Sequence, residues 1–186
     1  GHDESKVLNY PVYLLCGRLL YEFYSQATKR AMRSIRNSAS VIKKVYVPKY
    51  IYPMANVTSN FITFLISLLV LVFVMGYYLI FTDTAMRLTP YIFLSFVPII
   101  ILFVLCVGVG MILCTMEVFF KDVEYMYEVF CMLLFYATPI FYDVETLRIT
   151  NKYAQYALMA NPLYSIVSMF RDCVLFGRAM NPNHII

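Results

Sequence analysis

Apolar positions along this chain gather into three long runs separated by short polar breaks. The run from Asn60 to Phe81 contains no charged residue. A bilayer core of about 30 Å asks for a helix of roughly 20 apolar residues. In lipid, each backbone N–H and C=O must find its partner within the segment, so the run predicts a spanning helix over 57–81. The competing reading is the core helix of a large soluble protein, which runs of this length seldom form. A second uncharged run predicts a span over 88–116, with a kink at Pro98. In it, Gly108 and Gly110 permit the close approach of another helix or serve ordinary packing. A third, aromatic run predicts a span over 125–142, bent near its end by Thr138 and Pro139.

The first predicted span, 11–36, is less clean. It is apolar and aromatic but carries Arg18 and Glu22, whose four-residue spacing sets both on one helix face where they can pair. Charges inside a membrane are costly and often functional. The plainer expectation is an ion pair near the interface with both ends reaching towards water.

Polar residues then set the sidedness. Lys29, Arg30, Arg33, Arg36, Lys43, Lys44 and Lys49 follow one another with no acidic residue between Glu22 and Asp83. Basic flanks stay on the cytoplasmic side, so 37–53 is expected there. A helical stripe at Ala31, Ile35, Ala39, Ile42 and Tyr46 is interrupted at Asn37 and Ser38. Ser40 is expected to cap a short helix over 41–47 that Pro48 ends. Such a helix suits the headgroup layer and anionic lipids, or the docking of a cytoplasmic partner. Nucleic acid is not an expected partner, because spans flank the patch closely. Two further crossings return the chain to the cytoplasm at 117–124, where Glu117, Asp122 and Glu124 surround Lys121. Residues 143–177 are expected outside as interfacial or re-entrant helices. One of these is a helix over 162–176, with Asn161 as N-cap and Pro162 at its first position.

Composition sharpens the class. Of 186 residues, 61% are hydrophobic and only 14% charged, and the mean hydropathy of +0.70 belongs to an integral membrane protein. The 17 Tyr and 15 Phe, with no Trp, can supply interface belts and a pathway lining. Cys16, Cys106, Cys114, Cys131 and Cys173 show no metal or disulfide spacing and read as small buried hydrophobes. Gly1 and His2 read as the remnant of a cleaved tag, no cleavable signal peptide is expected, and the chain reads as a fragment. No phosphate-binding Gly-rich loop with Lys-Ser/Thr is present, and two terminal histidines cannot assemble a nucleophilic triad. Asp122 and Glu124 offer a weak Mg²⁺ pair for a membrane phosphotransferase. On residues alone the chain is a polytopic membrane protein with a basic cytoplasmic helix and an aromatic interior.

Several stretches, in order, resemble a known family. Gly17 through Tyr21, Phe23, Tyr24 and Ser25 is similar to G-x-x-x-W-x-F-F-S. Asn37 through Ile42, Lys43, Lys44, Val45, Pro48, Lys49 and Pro53 resembles N-x-x-L-I-x-K-V-x-F-P-R-x-I-x-P. Val118, Phe119, Phe120, Lys121, Asp122 and Val123 resemble V-F-F-R-D-V. Thr138, Pro139, Ile140, Phe141 and Tyr142 resemble S-P-I-x-Y, and Asn161-Pro162-Leu163 precedes Phe170-Arg171. The family is that of ABC-2 type permeases exporting polysaccharides and polyol phosphates, including O-antigen, capsule and teichoic acid exporters.

The resemblance implies an all-α polytopic bundle in the bacterial plasma (inner) membrane, lacking the family's first and last spans. It implies a homodimer driven by a separate ABC ATPase subunit that holds ATP and Mg, with no cofactor and no enzymatic activity in this chain. Asn37, Ile42, Lys43, Lys44, Val45, Pro48 and Lys49 would form the ATPase-coupling region, and Phe120, Lys121 and Asp122 the second cytoplasmic loop. Tyr21, Phe23, Tyr24, Pro139, Phe141, Tyr142, Asn161 and Pro162 would line the pathway or its exit. The cargo would be a lipid-linked glycan or polyol phosphate, for which aromatic faces provide stacking surface. Arg18 and Glu22 depart from the family's usual apolar residues, and Lys49 and Lys121 stand where Arg is common. The alternatives are an ABC-2 exporter of a small molecule or drug and a non-transporting membrane scaffold.

Overall fold

A computed structural model describes residues 10–81, 95–138, 161–171 and 173–174. These form α1 (Tyr10–Asn37), α2 (Ala39–Ile42), α3 (Ile51–Phe81), α4 (Phe96–Phe119), α5 (Val123–Ala137) and α6 (Pro162–Arg171). Every regular element among them is a helix, as the sequence predicts for an all-α bundle.

The central helix is α1. Its buried positions Val12, Cys16, Leu20, Phe23, Ala27 and Ala31 recur every three or four residues, which makes one continuous stripe on a 3.6-residue helix. α3 and α4 pack on this stripe, and α6 closes it near the N-terminal half of α1. Phe23 stacks on Phe64 of α3 at 4.7 Å between centroids, and Phe61 meets Phe103 of α4 at 4.8 Å. A smaller cluster of Met32, Leu113, Tyr127 and Cys131 seats α5. All five cysteines are buried, and none forms a disulfide.

Two helices, over Ile51–Tyr77 and Phe96–Phe119, are long and apolar enough to cross a membrane. Only 22% and 33% of their most apolar windows are buried. The outward faces carry Ile62, Ile66, Val70, Phe73, Ile100, Val104 and Ile112. A helix that is apolar all round and mostly uncovered is at home in lipid and not in a soluble core. The chain is therefore an integral membrane protein.

Several local expectations change. Pro98 falls in the first turn of α4, where backbone N–H groups lack intrahelical partners in any case, so no kink is asked of it. Residues 88–94 lie outside the described residues. Gly110 is the close-approach glycine, whereas Gly108 has open space around it. The helix after Asn37 covers Ala39–Ile42, with Ser38 and not Ser40 before it. It decays through turns at Lys43 and Lys44. Val41 and Val45 stay exposed there, so no packing face extends the helix. Arg18 and Glu22 do not pair. Glu22 accepts a hydrogen bond from Gln26 Nε2 at 3.0 Å, one turn in the other direction.

Candidate coupling end and polar grooves

The last two turns of α1 carry Arg33 and Arg36, whose long side chains reach across to α4 and α5. Arg33 Nη2 lies 2.6 Å from Glu124 and 3.0 Å from Glu128. Arg36 Nη1 lies 2.8 Å from Glu117 and its Nη2 2.7 Å from Glu124. Two guanidiniums thus hold three carboxylates at the elbow between α4 and α5. The Glu117 side chain is only 2% exposed. Neither of its oxygens has an aligned hydrogen bond, so charge, more than hydrogen-bond geometry, holds it against Arg36. Glu124 sits in the first turn of α5, where the helix dipole favours a carboxylate. Its hydrogen bond from Arg36, with the nearby Arg33 charge, holds its carboxyl below the usual range despite partial burial.

This cluster fixes which loops share one end of the bundle. Asn37 at the end of α1 and Lys43, Lys44, Val45, Pro48 and Lys49 beyond it are all exposed, and Ile42 is half-buried. Tyr46 is fully exposed, and Val41 and Tyr50 are open beside it. Phe120, Lys121 and Asp122 are exposed at the α4–α5 elbow, next to the carboxylates that Arg36 binds. The end of α1, from which the basic segment leaves, and the α4–α5 elbow are therefore neighbours, joined by an ion network. Its charges are visible in the sequence as a basic helix end and an acidic loop, but only folding brings them together. Asp122 points to no metal cluster: no group of three or more His, Cys, Asp or Glu that could hold a metal is present among the described residues.

The expected pathway residues divide. Tyr21 is half-buried, donates its hydroxyl to Cys131 O at 2.6 Å and meets the Phe135 ring at 5.0 Å. Phe23 and Tyr24 are buried, and Phe23 forms part of a groove floor between α1 and α3. Pro139, Phe141 and Tyr142 lie outside the described residues. Asn161 caps α6, its Oδ1 accepting from Leu163 N at 3.0 Å, while its Nδ2 donates to Thr138 Oγ1 at 3.2 Å. Pro162 is exposed at the first position of α6. Arg171, buried at the far end of α6, lays its guanidinium 3.7 Å from the Tyr13 ring centre and donates to Tyr13 O at 3.3 Å. That contact combines a cation on an aromatic face with a hydrogen bond in an apolar setting.

Sequence reasoning passed over one polar feature. Asn60, Thr63 and Ser67 of α3 line a groove with Glu22 and Gln26 of α1. The signal is their three- and four-residue spacing at the start of an otherwise apolar run.

Comparison with known proteins agrees with this architecture. The chain is 27% identical over 175 residues to an O-antigen export system permease protein RfbA of Klebsiella pneumoniae, covering 92% of this chain and 63% of that protein. It is 25% identical over 170 residues to the O-antigen export system permease protein RfbA of Myxococcus xanthus, covering 90% and 62%. The chain thus spans a little under two thirds of the length of the curated relatives it matches. Residues 1–175 match the family described as ABC-2 type transporter, and the chain belongs to that family.

Proposed function

We propose that this chain forms part of the membrane permease of an ABC-2 exporter. The exporter moves a lipid-linked polysaccharide or polyol phosphate across the bacterial plasma membrane. A separate ATPase subunit supplies the work, and two permease copies enclose the path. The relatives named as O-antigen export permeases support the cargo class.

One observation carries the mechanism. The exposed basic and aromatic segment 37–50 and the elbow at Phe120–Asp122 stand at one end of the bundle, where Arg33 and Arg36 tie the end of α1 to α4 and α5. A partner that presses on either loop moves a rigid unit, because the arginines tie the last two turns of α1 to α4 and α5 together. In this reading Lys43, Lys44 and Lys49 present charge to an acidic partner surface, while Val45, Tyr46 and Pro48 offer apolar contact. α1 and α3 both leave this end and enter the membrane, so displacement here reaches the span directly. The excess of Lys and Arg puts the end in the cytoplasm.

The test is co-purification of the permease with its ATPase, comparing wild type with Lys43→Glu/Lys44→Glu. The variant is expected to lose the ATPase while keeping membrane insertion. Retention of the ATPase by the variant would move the docking surface elsewhere. Absence of ATPase binding by the wild type would favour a scaffold.

A further inference from the structure

α1 carries a polar row that the core does not use. Arg18, Glu22 and Gln26 follow at four-residue spacing, all exposed, on the side away from the buried stripe. Arg18 has no ion-pair partner among the described residues, and Glu22 has only Gln26. Across a groove floored by Phe23 and Phe64, α3 presents Asn60, Thr63 and Ser67. On its other flank the same row borders a second groove with Tyr21, Ser25 and Phe135.

Depth excludes lipid as the neighbour. Glu22 is eleven residues from Arg33 of the ion network, about 16 Å along a helix, and Arg18 is about 22 Å away. Glu22 and Gln26 share their groove with Thr63 and Ser67, twelve and sixteen residues past Ile51 in the Ile51–Tyr77 helix, so the row runs alongside the middle of a hydrocarbon core of about 30 Å. Charged groups at that depth face water, a protein partner or another charge, never acyl chains.

Hydrogen bonding narrows the occupant. Thr63 Oγ1 donates to Ser59 O, Ser67 Oγ to Thr63 O, and Asn60 Nδ2 to Asn56 O. The two hydroxyl donors are spent on their own helix, whereas the Asn60 and Gln26 amides each keep one N–H and Arg18 keeps its guanidinium. Lone pairs also remain on the Thr63 and Ser67 hydroxyl oxygens, Asn60 Oδ1, and the Glu22 oxygen that Gln26 does not use. A wall that mixes donors and acceptors complements hydroxyl groups, which both donate and accept. One carboxylate spread over two helical turns does not make the compact oxygen cage a bare divalent cation demands.

We propose that Arg18, Glu22 and Gln26 of α1, with Asn60, Thr63 and Ser67 of α3, form a wetted wall of the transport path that hydrogen-bonds the hydroxyl groups of a polyhydroxylated chain in transit. The cargo half of this proposal rests on the exporter reading, whereas the water half does not. The wall offers repeated donors and acceptors and no deep pocket, which suits a chain that slides and does not stay.

The test uses single cysteines at Glu22, Gln26, Thr63 and Ser67 in the assembled transporter in membranes. Controls are Ile66→Cys and Val72→Cys on the exposed apolar face of α3. The five native cysteines are buried, so a charged methanethiosulfonate, which attacks the thiolate that forms only in water, reports the new sites. The groove cysteines are expected to label at least about tenfold faster than the controls, as the thiolate requirement dictates. Millimolar maltohexaose is expected to slow labelling at Gln26→Cys and Ser67→Cys several-fold. Labelling no faster than the controls overturns the proposal and means that another helix or a second copy covers the row. Fast labelling that maltohexaose does not slow overturns the hydroxyl-binding role. An export assay on the wild type runs alongside, so failure of the exporter reading is seen separately from failure of the wall.

Discussion

Gly110 of α4 lies so close to Ala31 of α1 that a Cβ on the glycine would stand 2.8 Å from the Ala31 Cβ. The atom it would strike is anchored directly to a helix backbone, so nothing flexible can give way. Gly110→Ala is expected to push α4 off α1 and cost about 1–3 kcal/mol, the range for overpacking. Gly108→Ala, with open space around it, is expected to be neutral or slightly stabilising through helix propensity. Thermal unfolding of the detergent-solubilised protein distinguishes the two. Equal behaviour of the variants would refute the close approach.

Tyr127 Oη donates to Thr28 Oγ1 at 2.8 Å, and Thr28 donates onward to Tyr24 O at 2.7 Å. The chain of hydroxyls links α5 to α1 inside the bundle. Tyr127→Phe removes one bond and is expected to cost about 0.5–1.5 kcal/mol. Thr28→Val leaves the buried tyrosine hydroxyl without this acceptor and is expected to cost more, about 1–3 kcal/mol. The order of the two, read from melting temperatures, is the checkable content.

The Arg36 to Glu117 contact predicts an asymmetry. Arg36→Leu leaves the buried Glu117 carboxylate without its salt-bridge partner, with only the more distant Arg33 charge to favour it. Loss of one partner from a fully buried pair costs about 3–5 kcal/mol, and exposure of Arg36 reduces this to roughly 2. Glu117→Gln removes the buried charge itself and is expected to be milder. Stability of both variants, with the double variant closing the cycle, measures the coupling.

Acid is expected to loosen the same end. The Glu124 carboxyl is held below its ordinary value of 4.5, chiefly by the Arg36 hydrogen bond. A depressed carboxylate stabilises the fold fully above its unfolded value. It loses that contribution as pH falls through its folded one. Melting temperature measured from neutral pH down through the carboxylate range should fall in wild type, and Glu124→Gln should flatten the fall. An unchanged slope in the variant would assign the acid sensitivity to another group.

Asn161 has two tasks that substitutions separate. Its Oδ1 caps α6, and its Nδ2 ties that helix to Thr138 at the end of α5. Asn161→Ala is expected to lose about 1 kcal/mol through the cap alone. Asn161→Asp keeps the cap and loses the donor, so it should fall between wild type and alanine. Hydrogen exchange in the first turn of α6 reads both.

Much of this molecule is set by local pattern. The uncharged runs announce α3 and α4 because a span needs only length and apolarity, both one-dimensional properties. Asn161-Pro162 announces the start of α6 because capping is a contact between near neighbours. The basic segment 37–49 and the acidic elbow are likewise visible as charges in a row.

What could not be read is every relation between helices. Arg18 and Glu22 have the spacing of a pair, yet Glu22 takes Gln26, because a four-residue spacing permits either direction. Gly108 and Gly110 look alike in sequence, and only the rotation of α4 decides which one meets Ala31. Phe23 and Tyr24 are adjacent aromatics in sequence, and only the rotation of α1 puts Phe23 on the floor of the groove towards α3 while both pack in the core. The ion network is the sharpest case. The local sequence shows Arg33 and Arg36 as a basic helix end, and the return of α4 and α5 to that end turns two separate charge runs into one lock. The sequence by itself determined that α3 and α4 are long and apolar enough to cross a membrane, since transfer into lipid is additive along a helix. The tertiary structure alone decided which side chains share a neighbourhood, since that depends on how each helix is rotated against the next.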